Sequence, residues 1–446
     1  MKLNGTEPSR GAGIRRRIRL SAILCAIALV LSSCASSGPA APVPGKEIAD
    51  QQFLLSTTSF FNKLDAGATP VPVSVSMTDT GLIIRCEGGE LLDISLGETL
   101  RIRWKAARAK DPLSYAVVDF PSFDGAKTVE SNGAVLPPKA ASRKLSAESP
   151  LSFAGSRFTV RLEKGAKVIS ILEGSDEVLS IDLSRSRISE GSRLLALSMG
   201  ENRGYYGFGE KAGALDKKGS QLRMWNTDSY AYRTGTDPLY VSIPFFYSPS
   251  DARTLGLFMD NPGNTFFDLE KAESGIVRLG AQTGEIDLYL MSGKNPSSVV
   301  SSYTALTGRY PLPPEWSLGF QQSRYSYYPD SRVLEIAEGL RSRNLPADVI
   351  YLDIDYMERF KCFTWNKQYF PDLKAMTDRL HEMGFHVVSM IDPGIKVEEK
   401  YHVYDSGTLA GYFTERKDGT AVYGNVWPGR CVFPDFFNPA VRAWWG

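Results

Sequence analysis

The amino-acid sequence predicts a large antiparallel β-sandwich followed by a parallel α/β sheet. Two observations carry that prediction. From about residue 51 to 295, apolar residues alternate with polar ones at period two, with Gly, Asp and Asn between the runs. Beyond residue 314 the rhythm becomes strand, helix, strand, helix, strand, the pattern of a parallel sheet. The chain's 446 residues suffice for two or three domains, each able to bury its own core.

In the first region Leu100, Ile102 and Trp104 alternate with arginines. Phe158, Val160 and Leu162 alternate with polar residues, as do Ile286, Leu288 and Leu290. Such runs are half-buried antiparallel strands, and many of them make a sandwich, assigned to residues 51–295. A helix-like segment follows over Pro296–Leu306, and Tyr310-Pro311-Leu312-Pro313-Pro314 completes a stiff connector, residues 296–314. From 315 onward Ser317–Gln321 is a short apolar run, and Asp330–Arg343 is helical, with Val333, Ile336, Ala337 and Leu340 on one face. Ala347–Leu352 is a continuous buried strand. A second helix carries Leu373, Met376, Leu380 and Met383 and stops at Gly384. Phe385–Ile391 is another buried strand, giving three strands and the start of a third crossover.

The N-terminus reads as a targeting segment. Lys2, Arg10, Arg15, Arg16, Arg17 and Arg19 form a positive region, and Leu20–Leu31 is apolar but too short to span a bilayer. Leu31-Ser32-Ser33-Cys34 resembles a bacterial lipobox, in which the cysteine is acylated and becomes the mature N-terminus. Residues 1–33 are thus expected to be a lipoprotein signal peptide, and the Pro-rich stretch within 34–50 a tether. The expected location is exported and lipid-anchored through Cys34 to a bacterial membrane, on the periplasmic or cell-surface side.

Composition excludes other classes. A formal net charge of +1 leaves no basic surplus to neutralise phosphates, so no nucleic-acid partner is expected. Cys86, Cys362 and Cys431 are too scattered for a disulfide framework or a metal site, and His381, His386 and His402 make a poor ligand set.

In parallel barrels the site lies at the carboxyl ends of the strands. Two apolar strands end in acids here, one in Asp353-Ile354-Asp355 and the other in Asp392-Pro393-Gly394. Alternate residues of a strand share a face, so Asp353 and Asp355 are candidates for an acid/base pair. Equally, such acids cap the next element or pair with a basic neighbour.

The runs Leu318–Tyr327, Asp348–Met357, Phe363–Asn366 and Ile391–Ile395 together resemble glycoside hydrolase family 31. So do Val426–Gly429, Phe433–Phe436 and Trp444-Trp445-Gly446 and, upstream, Tyr206–Lys211 with Trp225–Asp228. The match runs in order over residues 200–446 and is most like the bacterial α-glucosidases. The resemblance implies a galactose mutarotase-like β-sandwich followed by a (β/α)8 barrel, of which residues 315–446 are the first part. It implies retaining hydrolysis of terminal α-linked glucose from oligosaccharides, with no metal or organic cofactor.

The same resemblance gives residues their roles. The acid matching Asp353 accepts hydrogen bonds from sugar hydroxyls in the subsite of the cleaved unit, a task suited to an acceptor-only carboxylate. Ile354 packs against that sugar, Trp427 is an aromatic wall, and Tyr325 is a rim aromatic. Met390 and Asp392 match pocket residues on the next strand. Asp228 matches an acid on a sandwich loop that helps bind the leaving-group side. Structural alternatives stand beside each: Trp427 and Tyr325 as core, Asp392 as a turn acid, Asp228 as part of a turn. Asp355 and Asp435 are read as loop-holding residues.

A retaining mechanism needs a nucleophile and an acid/base with carboxyl groups about 5–5.5 Å apart. The resemblance places both after the Trp-Trp-Gly motif, so no catalytic residue is assigned here and the chain alone is expected to be inactive. Three strands of an eight-stranded barrel leave an unpaired edge, and Trp444 and Trp445 are expected to lack partners, which favours part of a longer enzyme. The other readings are a non-catalytic carbohydrate-binding or scaffolding lipoprotein, and a sandwich-type binding module with an α/β appendage.

Overall fold

A computed structural model describes residues 56–446, apart from 108–113, 115, 119–120, 124–127, 132–133, 137–142, 145–149 and 201–202. The stretches expected to be a signal peptide and tether, with Cys34, lie outside the described residues. Two compact units divide between Arg309 and Tyr310.

Among the described residues the first unit is a sandwich of one nine-stranded and one eleven-stranded sheet, antiparallel throughout. In the nine-stranded sheet Ile286–Gly293 lies between Thr254–Met259 and the central strand Leu100–Ala106. The period-two residues face the other sheet as expected. Leu100, Ile102, Trp104, Val160, Ile286, Leu288 and Leu290 all lie in one buried core, with Leu195, Leu197 and Leu279 from the opposing sheet.

The reverse face of the nine-stranded sheet is covered too, which alternation alone does not announce. Ile286–Met291 is buried at every position. Its outer face carries Tyr289 and Met291, which pack with Phe245, Phe258, Val299 and Leu306. Val299 and Leu306 belong to the helix Pro296–Thr307, so this helix, read from sequence as connector, packs on the sandwich and falls within its unit. Asn295 starts it: the side chain accepts from Ser298 N at 3.0 Å, Ser298 Oγ accepts from Asn295 N at 3.3 Å, and Pro296 follows. Asn295→Ala is expected to cost about 1 kcal/mol, read as a lower urea midpoint with unchanged slope.

A second helix in this unit, Thr57–Asp65, has no counterpart in the strand reading. Phe60, Phe61 and Leu64 bury one face against Leu194 and Phe266. Phe60 stacks on Phe266 at 3.9 Å, and the room for it is Gly280, where a Cβ would stand 2.3 Å from the Phe60 ring.

In the second unit, strands β1 (Gln321–Gln322), β2 (Val349–Leu352) and β3 (His386–Ser389) form a parallel sheet. Helices α1 (Asp330–Ser342) and α2 (Leu373–Glu382) cover it through Val333, Ala337, Met376 and Leu380, packed with Ile350, Leu352 and Phe385. The sheet is open, as the opening part of a barrel must be.

Three local expectations change. Ser317–Gln321 is mostly a tight turn, because the Ser317 hydroxyl and the Gln321 amide bond backward to Pro314 O and Ser317 O at 2.7 and 2.6 Å. Strand β3 is not fully buried: it lies at the sheet's edge, with His386 and Ser389 exposed. Beyond it the chain forms an antiparallel sheet of β4 (Ile395–Lys396), β5 (Tyr423–Val426) and β6 (Gly429–Val432). Helices α3 (His402–Ala410) and α4 (Pro439–Trp445) complete the unit. Trp444 and Trp445 do have partners: both are half-buried, Trp444 against Tyr412 and Phe413, Trp445 against Phe363 and Phe436. Cys86, Cys362 and Cys431 are buried free thiols.

Candidate functional site

Strand β2 is apolar until Leu352, and its first polar residue, Asp353, opens a helical turn over Ile354–Tyr356. One Asp353 oxygen accepts from Ile354 N at 2.7 Å. That capping bond uses one of about four lone-pair sites on the carboxylate. The turn advances about 120° per residue, so Asp353 and Asp355 do not share a face as strand residues would. The pairing suggested by strand alternation therefore fails. Ile354 is buried beneath the turn, at 4% exposure.

Strand β3 brings its own end alongside. Leu352 pairs with Ser389, and Met390 N donates to Leu352 O at 2.9 Å. The Tyr356 hydroxyl then donates to Met390 O at 2.9 Å, tying the two strand ends together. Met390 stays 42% exposed, and half-buried Asp392 follows in the loop before β4. The Cys362 thiol donates to Asp392 O at 2.8 Å, and burial, with the Asp392 carboxylate beside it, pushes that thiol up to about 11.

The aromatic wall comes from the antiparallel sheet. Trp427 and Pro428 are the two turn residues of the β5–β6 hairpin, closed by Gly429 at φ 99°. A side chain at a hairpin tip projects away from the core, and Trp427 is 58% exposed. Its ring lies 6.1 Å from that of Tyr325, itself 62% exposed, so neither is core. Burial and then the carboxylates of Asp355 and Asp353 raise the Tyr325 hydroxyl pKa.

Asp228 belongs to the first unit. It is exposed and hydrogen-bonded to Tyr240, whose hydroxyl pKa is raised by burial and then by Asp228. Its loop is pinned by a buried pair: Lys211 Nζ donates to Asp237 Oδ1 at 2.5 Å, and Asp237 Oδ2 accepts from Arg223 N at 2.6 Å. Burial lowers the Lys211 pKa, against the pull of Asp237. The Tyr206–Lys211 run thus earns its glycines: Gly207 has φ 127°, and a Cβ there would meet Phe245 O at 2.7 Å.

Two parts of the site were not read from the sequence. Asp435 holds its loop, accepting from Phe437 N at 3.1 Å, but Asp355 holds nothing among the described residues. Glu398 gathers three cations, Arg359 at 2.7 Å, Lys361 at 3.0 Å and Lys396 at 3.0 Å. These partners are up to 39 residues apart, so no periodicity betrays them. The hydrogen bonds from Lys361 and Lys396 pull the Glu398 carboxyl down to about 2. A depressed carboxyl stabilises the fold above its unfolded pKa, about 4.3, and loses that contribution as pH falls toward 2. Stability of the second unit should therefore fall between about pH 4.3 and 2, and Glu398→Gln should flatten that slope in urea titrations.

Comparison with known proteins agrees with this architecture. A model described as the glycosyl hydrolases family 31 TIM-barrel domain matches residues 310–446. Another, the glycosyl hydrolase 31 N-terminal galactose mutarotase-like domain, matches residues 70–268. The chain is 39% identical over 310 residues to α-glucosidase 2 of Bacillus thermoamyloliquefaciens, covering 67% of this chain and 38% of that one. It is 38% identical over 239 residues to the α-glucosidase of Saccharolobus solfataricus, covering 54% and 34%. The chain thus spans little more than a third of these relatives. Among solved structures, a Flavobacterium johnsoniae family 31 dextranase complexed with isomaltotriose superposes with TM-score 0.68 at 26% identity, over 86% of this chain and 45% of that one.

Proposed function

The chain belongs to glycoside hydrolase family 31, and from that premise we propose that it grips a terminal α-linked glucose for retaining hydrolysis from an oligosaccharide. What supports the reading is that Met390 is hydrogen-bonded to Leu352, next to Asp353, at the ends of β3 and β2, and that the exposed Tyr325 and Trp427 rings lie 6.1 Å apart. An ionised carboxylate beside exposed aromatic faces suits a pyranose, whose hydroxyls donate and whose C–H face is apolar. Ile354 would form the floor and Asp392 the far side of that grip. No residue of the chain is assigned the nucleophile or acid/base role, so these 446 residues are proposed to bind sugar without cleaving it.

The experiment is a saturation-transfer NMR titration of the 446-residue chain with glucose and maltotriose, alongside an assay on an aryl α-glucoside. Binding of both sugars without turnover is expected, and release of the aryl group would refute the assignment of roles. Trp427→Ala should weaken binding by about tenfold, the loss of one aromatic wall. Binding that survives on residues 56–309 alone would point instead to a sandwich-type binding module. We also propose that Cys34 anchors the chain to a membrane; Cys34→Ser should abolish incorporation of labelled fatty acid.

A further inference from the structure

We infer that Cys362 is a positioning residue for the sugar site: its thiol fixes the loop Asp392-Pro393-Gly394, and through it the direction of the Asp392 carboxylate and the seat of the Trp427 hairpin. The inference rests on the reading that Asp392 faces the sugar.

The loop has few ties of its own. Before it Met390 is bonded to Leu352, and after it Ile395 pairs with Val432. Pro393 between them has no N–H to donate. Among the described residues Asp392 takes part in one hydrogen bond, from the Cys362 thiol to its carbonyl at 2.8 Å. The same sulfur lies 4.0 Å from Gly394 O. Which way Asp392 points is therefore set by a side chain 30 residues away, on the loop after β2.

The thiol can act as a fixed post because it is itself held. Cys362 is 1% exposed and packs with Ile395, Tyr401 and Val432. Its own carbonyl accepts from the Tyr401 hydroxyl at 2.7 Å. On one side Lys361 pairs with Glu398 at 3.0 Å, and on the other the Phe363 ring lies 5.0 Å from that of Trp445. Phe363 has φ 60°, a left-handed value that persists only where the surroundings enforce it. Burial, then the Asp392 carboxylate, pushes the thiol up to about 11, so at neutral pH it keeps its proton and remains a donor. A thiol is a weak donor in water, but a hydrogen bond strengthens in surroundings of low dielectric.

Gly394 carries the effect to the aromatic wall. It is buried, and a Cβ there would stand 2.5 Å from Val426 Cγ2 and 3.6 Å from Cys431 Sγ. The residue before Trp427 thus sits directly on the loop that the thiol holds. One buried sulfur lies beneath both the carboxylate and the hairpin that bears the exposed ring.

The test is a double-mutant cycle in the whole chain, read by the saturation-transfer titration with glucose and by thermal melts. Cys362→Val fills the space without a donor, Cys362→Ser restores one, and Asp392→Asn removes the charge. Asp392→Asn should weaken glucose by about tenfold and Cys362→Val by about fivefold, the loss of a charge-assisted and of an ordinary hydrogen bond. Because the thiol acts through Asp392, the double variant should bind no more weakly than Asp392→Asn alone. Cys362→Ser should bind within about twofold of wild type. Cys362→Ala takes the place of Cys362→Val should the latter fail to fold. Additive losses in the cycle, or a donor-less variant that binds as wild type does, would overturn the positioning role. Failure of wild type to bind glucose, or indifference to Asp392→Asn, would overturn the reading beneath it, and the inference with it.

Discussion

Replacing Asp353 by asparagine is expected to lower glucose affinity by about a hundredfold. A hydrogen bond to a charged group contributes about 1.5–3 kcal/mol, and a carboxylate that grips two sugar hydroxyls makes two of them. Losing the charge therefore removes roughly 3 kcal/mol, and each 1.4 kcal/mol is tenfold. Asparagine keeps the shape and still accepts from Ile354 N, so the turn after β2 survives. The measurement is the saturation-transfer signal together with the thermal midpoint. Loss of signal at an unchanged midpoint supports the role. Unchanged binding would leave Asp353 as a helix cap and nothing more.

The largest effect on stability is expected at Asp287, in the sandwich. This carboxylate is 1% exposed and takes a fork of two bonds from Arg101, at 2.9 and 2.6 Å, with Arg103 at 3.8 Å. Arg103 in turn holds Glu285 through two bonds of 3.0 Å. Asp287→Asn strips the charge from beneath two guanidinium groups that burial keeps from water. Breaking a buried pair from one side costs about 3–5 kcal/mol, a large fraction of a domain's usual 5–15 kcal/mol. Replacing both partners, Arg101→Met with Asp287→Leu, should recover much of that loss, since an apolar pair of similar volume leaves no stranded charge. Urea unfolding of Arg101→Met, Asp287→Leu and their combination against wild type forms a double-mutant cycle, with Asp287→Asn measured beside it. A loss below about 1 kcal/mol for Asp287→Asn would mean that water reaches these groups.

The alternation of Leu100, Ile102 and Trp104 identified their strand because a pleated strand turns every second side chain one way. The same rule misjudged the arginines between them, which pair under cover instead of facing water. The cover around Tyr289 comes from the helix Pro296–Thr307, and nothing in a strand's own pattern reports what packs on its far face. The helix Thr57–Asp65 was illegible because nine residues give too few turns for a period to emerge. The β5–β6 hairpin did carry a signal, Pro428-Gly429 where the turn meets the second strand, which marks a tight turn.

At the site, residue types and order were legible and geometry was not. Apolar strands ending in acids mark the strand ends, because a strand leaving a buried sheet meets water there. Spacing then misled at Asp353-Ile354-Asp355, which reads as two carboxylates on one strand face. The chain turns at Asp353, so one acid caps the turn while the other faces an open cavity. By itself the sequence determined the family, the two-part architecture and the identity of the sugar-facing candidates, because periodicity and ordered motifs are local properties of a chain. Only the tertiary structure decided that Trp427 stands at a hairpin tip opposite Tyr325, and that Glu398 draws three distant cations together. Those facts depend on contacts between residues far apart in sequence, which exist only once the backbone has folded.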